Sequence, residues 1–132
     1  MSLKALKVLA RTRSLGFTRD YLGQAPGARN GLASVPWWNG DGRPVYYRPG
    51  TSDVSIVYDI LFRKSEYWLP DGLAPRVIFD IGGNIGIAAR YLAQRFPQAE
   101  VHSFEPVAEN LELMRRNLDG TRVRAHEFGL GG

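Results

Sequence analysis

From Arg76 onward the apolar positions switch regularly between two spacings. Val77, Ile78 and Phe79 form an unbroken apolar run, interrupted by Asp80 and resumed at Ile81, the pattern of a strand buried on both faces. Ile85, Ala88, Ala89, Leu92 and Phe96 then recur at helical spacing until Pro97, and Asn84 stands where it would cap that helix. A second strand is predicted from Glu100 to Glu105. Pro106 suits a first helical turn. Val107, Leu111, Met114 and Leu118 mark one face of the helix it opens, with Glu109 and Glu112 early and Arg115 and Arg116 late to complement the dipole. Gly120 is placed to end it. Between Thr121 and Glu127, Arg122 and Arg124 alternate with Val123 and Ala125, which predicts a third strand with one face or an edge in solvent. Strand, helix, strand, helix, strand predicts an α/β class built on a right-handed parallel unit.

Upstream the pattern is less regular. Leu3, Leu6, Leu9 and Ala10 lie at helical spacing. Residues 22 to 50 hold Gly23, Pro26, Gly27, Gly31, Pro36, Gly40, Gly42, Pro44, Pro49 and Gly50, breakers that predict loop. Only Pro44 to Arg48, with Val45, Tyr46 and Tyr47, reads as a strand. Thr51, Ser52 and Asp53 offer capping oxygens to a helix carrying Val54, Val57, Tyr58 and Leu61, with an end expected near Lys64. The expected organisation is an N-terminal helix and loop extension over 1–50, followed by an α/β domain over 51–132.

Charge adds one feature to this outline. The formal net charge is +4, yet Lys4, Lys7, Arg11, Arg13 and Arg19 all precede the first acid, Asp20. The basicity therefore belongs to the N-terminal segment. That segment is either a solvated helix packing its leucines on the domain or an amphipathic helix that touches a membrane surface. No basic patch with interleaved aromatics follows, so no nucleic-acid partner is expected. The chain has no cysteine, which excludes disulfides, thiolate nucleophiles and Cys-ligated zinc. His102 and His126 lack close metal-ligand spacing, no metal site is expected, and a cytoplasmic location is the reading that follows.

The candidate chemistry lies in DIGGNIG, residues 80 to 86, between a strand end and a helix start. Gly82, Gly83 and Gly86 would let a ligand approach the backbone. Amides of the turn and helix start could donate to it, and Asp80 could accept from it. Glu105 ends the next strand and should stand at the same sheet edge, where a carboxylate can accept from two ribose hydroxyls. A dinucleotide fingerprint begun at Gly82 would need glycine at 84 and 87, where Asn84 and Ile87 stand. No Lys followed by Ser or Thr completes a P-loop.

Four motifs occur in order: YRPGTSD at 47–53, EYWLP at 66–70, VIFDIGGNIG at 77–86 and FEPVAENLELMRRNL at 104–118. Together they resemble the FkbM family of S-adenosylmethionine-dependent methyltransferases. That resemblance implies a class I methyltransferase fold, Rossmann-like and only partly present, and methyl transfer to the hydroxyl of a small molecule or glycan. It implies that Asp80, Gly82, Gly83, Asn84, Gly86 and Glu105 bind the cofactor. Gly83 stands where alanine is usual, a departure expected to be harmless. No residue presents itself as the catalytic base. Arg48 and Asp53 fit a structural role better than a ligand contact, Trp37 and Trp38 fit anchors better than a sugar-stacking platform, and neither histidine stands out as a base.

The implied fold has seven strands with the first one central, and this sequence supplies three core strands before Leu130, Gly131 and Gly132. The apolar strand 77–81 then needs a cover. Three arrangements satisfy that need: a truncated N-terminal half that is inactive alone, completion by the chain's own strand near Val45, or a homo-oligomer that pairs strands between chains. A non-catalytic assembly module that keeps the nucleotide-binding half is the alternative function.

Overall fold

A computed structural model describes residues 1–23, 31–63 and 69–130. Pro26, Gly27, the expected helix end at Lys64, the 66–68 part of EYWLP, and Gly131 and Gly132 lie outside the described residues. The chain divides into two units, Met1–Glu66 and Tyr67–Gly132. The helix expected after Thr51 belongs to the first unit, although the sequence grouping placed it with the second.

In the first unit, α1 (Leu3–Thr12) starts where the Ser2 hydroxyl accepts the Ala5 N–H. It stops at Arg13, which is left-handed at φ 54° and returns its N–H to the Leu9 carbonyl. Ser14 then caps α2 (Leu15–Tyr21) by accepting from the Phe17 N–H. The buried face of α1 is Ala5, Val8 and Thr12, whereas Leu3 and Leu6 are exposed. The expected leucine stripe is therefore not the packed one. Smaller side chains at 5, 8 and 12 let the helix come close to α2, and Thr12 satisfies its buried hydroxyl on the Val8 carbonyl.

β1 (Ala33–Pro36) pairs antiparallel with β2 (Pro44–Tyr47), Val35 opposite Val45. Only β2 was legible in the sequence, because β1 buries a single side chain, Val35. The two strands form their own sheet, so β2 does not complete the strand at 77–81. In the connecting turn a methyl group added at Gly40 would sit 2.1 Å from the Trp37 ring, and Trp37 is buried. Trp38 donates its Nε1–H to the Arg11 carbonyl at 2.7 Å and carries the Arg13 guanidinium 3.7 Å above its ring. Both tryptophans act as anchors.

Arg48 makes a two-pronged contact with Asp53, Nε to Oδ2 at 2.7 Å and Nη2 to Oδ1 at 3.0 Å, and its backbone N–H donates to the same carboxylate. With Asp53 only 1 % exposed, the YRPGTSD segment is a clasp that turns the chain from β2 into α3 (Asp53–Val57). The expected single helix changes to π-helical geometry over Tyr58–Arg63. Ile60, Leu61 and Phe62 are buried in succession within this turn. Phe17 sits at the centre of this unit, edge-on to Tyr47 at 5.2 Å, and the Tyr47 hydroxyl donates to Asp20 at 2.7 Å.

The second unit is a parallel sheet of β3 (Val77–Ile81), β4 (Glu100–Phe104) and β5 (Arg124–His126) in the order β3-β4-β5. The connections are α4 (Ile87–Arg95) and α5 (Ala108–Leu118). This is the α/β arrangement expected from the alternating pattern. Ala89, Leu92, Phe96, Val101, Leu111, Met114 and Leu118 form its core, with Ile78 and Ala125 packed against it from the sheet. Two details differ from expectation. Val107 precedes the first turn of α5 and is exposed, while Leu113 and Asn117 are buried. The β3 strand is covered on one face only: Val77, Phe79 and Ile81 point the other way and are 53 %, 60 % and 62 % exposed. Among the described residues no helix is long and apolar enough to cross a membrane.

Candidate functional site

The parallel register sets Asp80 beside Ser103 and Ile81 beside Phe104, so the turn after β3 and the end of β4 share one sheet edge. In open parallel sheets this carboxyl edge is where ligands bind. Gly82 (φ 75°), Asn84 (φ 51°) and Gly86 (φ 88°) are all left-handed, which bends the chain sharply enough to begin α4 directly above the sheet. Asn84 does not cap that helix. Gly86 occupies the N-cap position, and no side chain caps it.

Four backbone donors of the turn are committed to the protein. The amides of Gly82 and Gly83 both reach the Phe104 carbonyl, at 3.0 and 2.9 Å, and Gly86 donates to the Gly83 carbonyl at 2.9 Å. Glu105 takes the Asn84 N–H on Oε2 and the Val107 N–H on Oε1, each at 2.8 Å. It is 5 % exposed. Its carboxylate therefore pins the glycine turn to the segment that opens α5, and each oxygen retains a second lone pair. The expectation that the turn's amides point at a ligand is not met at 82, 83, 84 or 86. A methyl group added at Gly82, by contrast, would meet nothing within 4 Å, so the bare backbone there faces open space.

Asp80 stands beneath the turn and accepts from Ser103 Oγ at 2.7 Å. Burial pushes its pKa up and the nearby Glu105 charge adds to the rise, with the Ser103 hydroxyl acting against both. All six predicted residues, Asp80, Gly82, Gly83, Asn84, Gly86 and Glu105, thus gather at one sheet edge.

No family model matches the chain. The chain is 30 % identical over 91 residues to "Methyltransferase 1" of Beauveria bassiana (strain ARSEF 2860), which covers 66 % of this chain and 36 % of that protein. It is 48 % identical over 46 residues to "Trans-aconitate 2-methyltransferase" of Pseudomonas paraeruginosa (strain DSM 24068 / PA7), covering 35 % of this chain and 17 % of that protein. The sequence is similar to methyltransferases. The chain spans about a third or less of these curated relatives' length. Among solved structures it is similar to P. horikoshii TYW2 in complex with MeSAdo, with a TM-score of 0.48, 12 % identity, and coverage of 90 % of this chain and 48 % of that one.

Gly83 is not interchangeable with alanine in this chain. A methyl group there would lie 2.0 Å from Ser103 Oγ, 2.6 Å from Met114 Cε and 2.9 Å from Asp80 Oδ2. Space at 83 is taken by the hydroxyl that holds Asp80, so glycine at this position goes with Ser103 across the sheet. Gly83→Ala will cost about 2 kcal/mol, because the side chains must move and the half-buried hydrogen bond is lost. Urea unfolding of the single variants and of Gly83→Ala with Ser103→Ala tests this. The pair should be less destabilised than the sum of its parts, whereas strict additivity would show that Ser103 is not the obstruction.

Ser103 itself escaped sequence reading, although its partner position across β4 follows once Asp80 is placed on β3 in parallel register. Asn117 escaped as well: its Nδ2–H donates to the Ile85 carbonyl at 2.9 Å, tying α5 to the glycine turn, and Arg90 donates to the Asn117 carbonyl. His102 and His126 face each other, Nδ1 to Nε2 at 2.8 Å, with His102 Nε2 on Glu100 at 2.9 Å. A cavity of about 850 Å³ is lined by Leu73–Val77 and Arg95–Glu100. It opens at the amino ends of β3 and β4, opposite the edge where parallel sheets place their ligands.

Proposed function

We propose that this chain is the cofactor-binding half of an S-adenosylmethionine-dependent methyltransferase that acts in the cytoplasm on the hydroxyl of a small molecule or glycan. One observation carries the choice of cofactor. Four amides of the turn are already bonded within the protein, and two carboxylates, Asp80 and Glu105, flank the open backbone at Gly82. Phosphate sites need free amides and positive potential. With those four amides taken and two carboxylates beside the opening, the turn disfavours a diphosphate and suits a cofactor bearing an ammonium and a sulfonium. The residues present fit that group: Gly82 leaves room for it, Asp80 supplies opposite charge, and the second lone pairs of Glu105 suit ribose hydroxyls.

When bound, the cofactor would supply an activated methyl group, and the task of the protein is to orient it and exclude water. The resemblance to the FkbM family, carried by the four ordered motifs, supports oxygen as the methyl acceptor. Titration calorimetry of the 132-residue protein tests the reading, with heat expected for S-adenosylmethionine and none for NAD. Equal heats would refute the choice of cofactor, and silence with both would favour the non-catalytic assembly module.

Asp80→Asn separates binding from folding. The amide oxygen still accepts from Ser103, and a group whose pKa is raised by folding opposes the folded state above that pKa. The variant should be at least as stable as the parent at pH 7, and the parent should gain on it as the pH falls through the raised pKa. Affinity for S-adenosylmethionine should drop about tenfold, the equivalent of one lost charged contact. Unaltered affinity in a stable variant would remove Asp80 from the site.

A further inference from the structure

The first unit contains a groove of about 340 Å³ that the proposed methyl transfer does not use. One wall is α1, which presents Lys4, Lys7 and Arg11 along a single edge, and the other includes Arg63 at the end of the π-helical turn. Tyr21 and Tyr58 form its floor, their ring centroids 4.4 Å apart. The Lys4 ammonium sits 5.4 Å from the Tyr21 ring centroid, and Arg11 Nη1 donates to the Tyr58 hydroxyl at 3.4 Å. These contacts hold two of the cations over the aromatic floor.

Charge balance is the unusual feature. Three like charges at i, i+3 and i+7 repel each other along a helix edge. Among the described residues Lys4, Lys7 and Arg11 have no carboxylate partner, and Arg63 has one, Asp59, at 3.6 Å. The groove therefore sets four cations against a single acid. Burial, then Asp59 and Tyr58, push the Tyr21 pKa up against the opposing pull of Arg63, so its hydroxyl stays a donor at neutral pH. Ammonium, guanidinium and phenol donors around one concavity suit an oxyanion with several acceptor oxygens and more than one charge.

We infer that this groove binds a phosphate group, carried either by a small soluble molecule or by a lipid headgroup. Its volume lies at the lower end for small-molecule sites, enough for one phosphate and a modest attached body. Exposed Leu3 at the rim of the groove, Leu6 further along α1 and Met1 just before the helix are what a headgroup source would use.

The test compares the full chain with Lys7→Gln/Arg11→Gln and with a charge-matched control elsewhere, Arg76→Gln/Arg115→Gln. Pyrophosphate binding is followed by calorimetry, and co-sedimentation uses phosphatidylglycerol vesicles against phosphatidylcholine vesicles. Loss of two charge-assisted contacts should weaken binding at least about tenfold, with the control unaffected. Pyrophosphate binding without vesicle binding identifies a soluble ligand, and selective vesicle binding identifies the headgroup. No binding of either probe overturns the inference, as does an equal loss in the control, which would reduce the effect to overall charge. Neither failure touches the cofactor reading, which is tested with a different ligand.

Discussion

Glu105→Ala will destabilise the second unit by about 3 kcal/mol, because it orphans two backbone donors at once. The Asn84 and Val107 N–H groups each rely on this carboxylate at 2.8 Å, and bonds to an ionised acceptor are stronger than neutral ones. Water can recover part of the loss at half-buried Asn84, and removing the charge relieves Asp80, so the cost stays below the sum of two full penalties. Two of the three tryptophans, Trp37 and Trp38, lie in the first unit, so tryptophan fluorescence mixes signals from both units and residue-resolved amide exchange is the better probe. Exchange protection at Asn84 and Val107 should collapse with the unfolding midpoint. A variant with parental protection at both amides would show that the clasp contributes nothing. Glu105→Gln retains one acceptor oxygen but turns its amide group toward a second donor, so it should rank between the two proteins in stability. Both variants should lose S-adenosylmethionine binding.

The dual duty of Glu105 shows where sequence reasoning succeeds and where it stops. Its position was legible: an apolar run ending at Ile81 and a second strand ending just before Glu105 place both ends on one edge, whatever the details. The helices that follow these strands were legible too, because Leu92, Phe96, Leu111, Met114 and Leu118 keep the 3.6-residue period of a one-sided core. What no one-dimensional pattern records is which partner a polar group has already taken. The turn's amides looked available for a ligand and are bonded to Phe104, Gly83 and Glu105. The tight fit at Gly83 was hidden because Ser103 lies 20 positions downstream and meets it only across the sheet. The same reason hid the face of α1: Leu3 and Leu6 are the larger apolar residues, but the surface below them accommodates Ala5, Val8 and Thr12. Short elements failed for want of signal, since β1 buries one side chain and a π-helical turn has no period long enough to read.

The glycines of the turn divide between packing and ligand access, and substitution should separate the two. Gly86→Val will cost about 4 kcal/mol, the sum of left-handed strain for a β-branched residue and overpacking against a helix. At φ 88° the added Cβ would lie 3.0 Å from Met114 Cγ, 3.2 Å from Leu118 Cγ and 3.4 Å from the Met114 Cα. The last is backbone, so α5 as a whole would have to move away from the turn. Gly82→Ala has the same kind of strain at φ 75° but open space around its Cβ, and its cost should be only about 1 kcal/mol. Its effect should fall on the ligand instead, because a methyl group there occupies the surface that the cofactor approaches. Urea midpoints and S-adenosylmethionine titrations of the two variants should therefore rank in opposite order per unit of stability lost. If Gly82→Ala binds the cofactor as the parent does, the open backbone is not the binding surface, and the carboxylates beside it serve the fold alone.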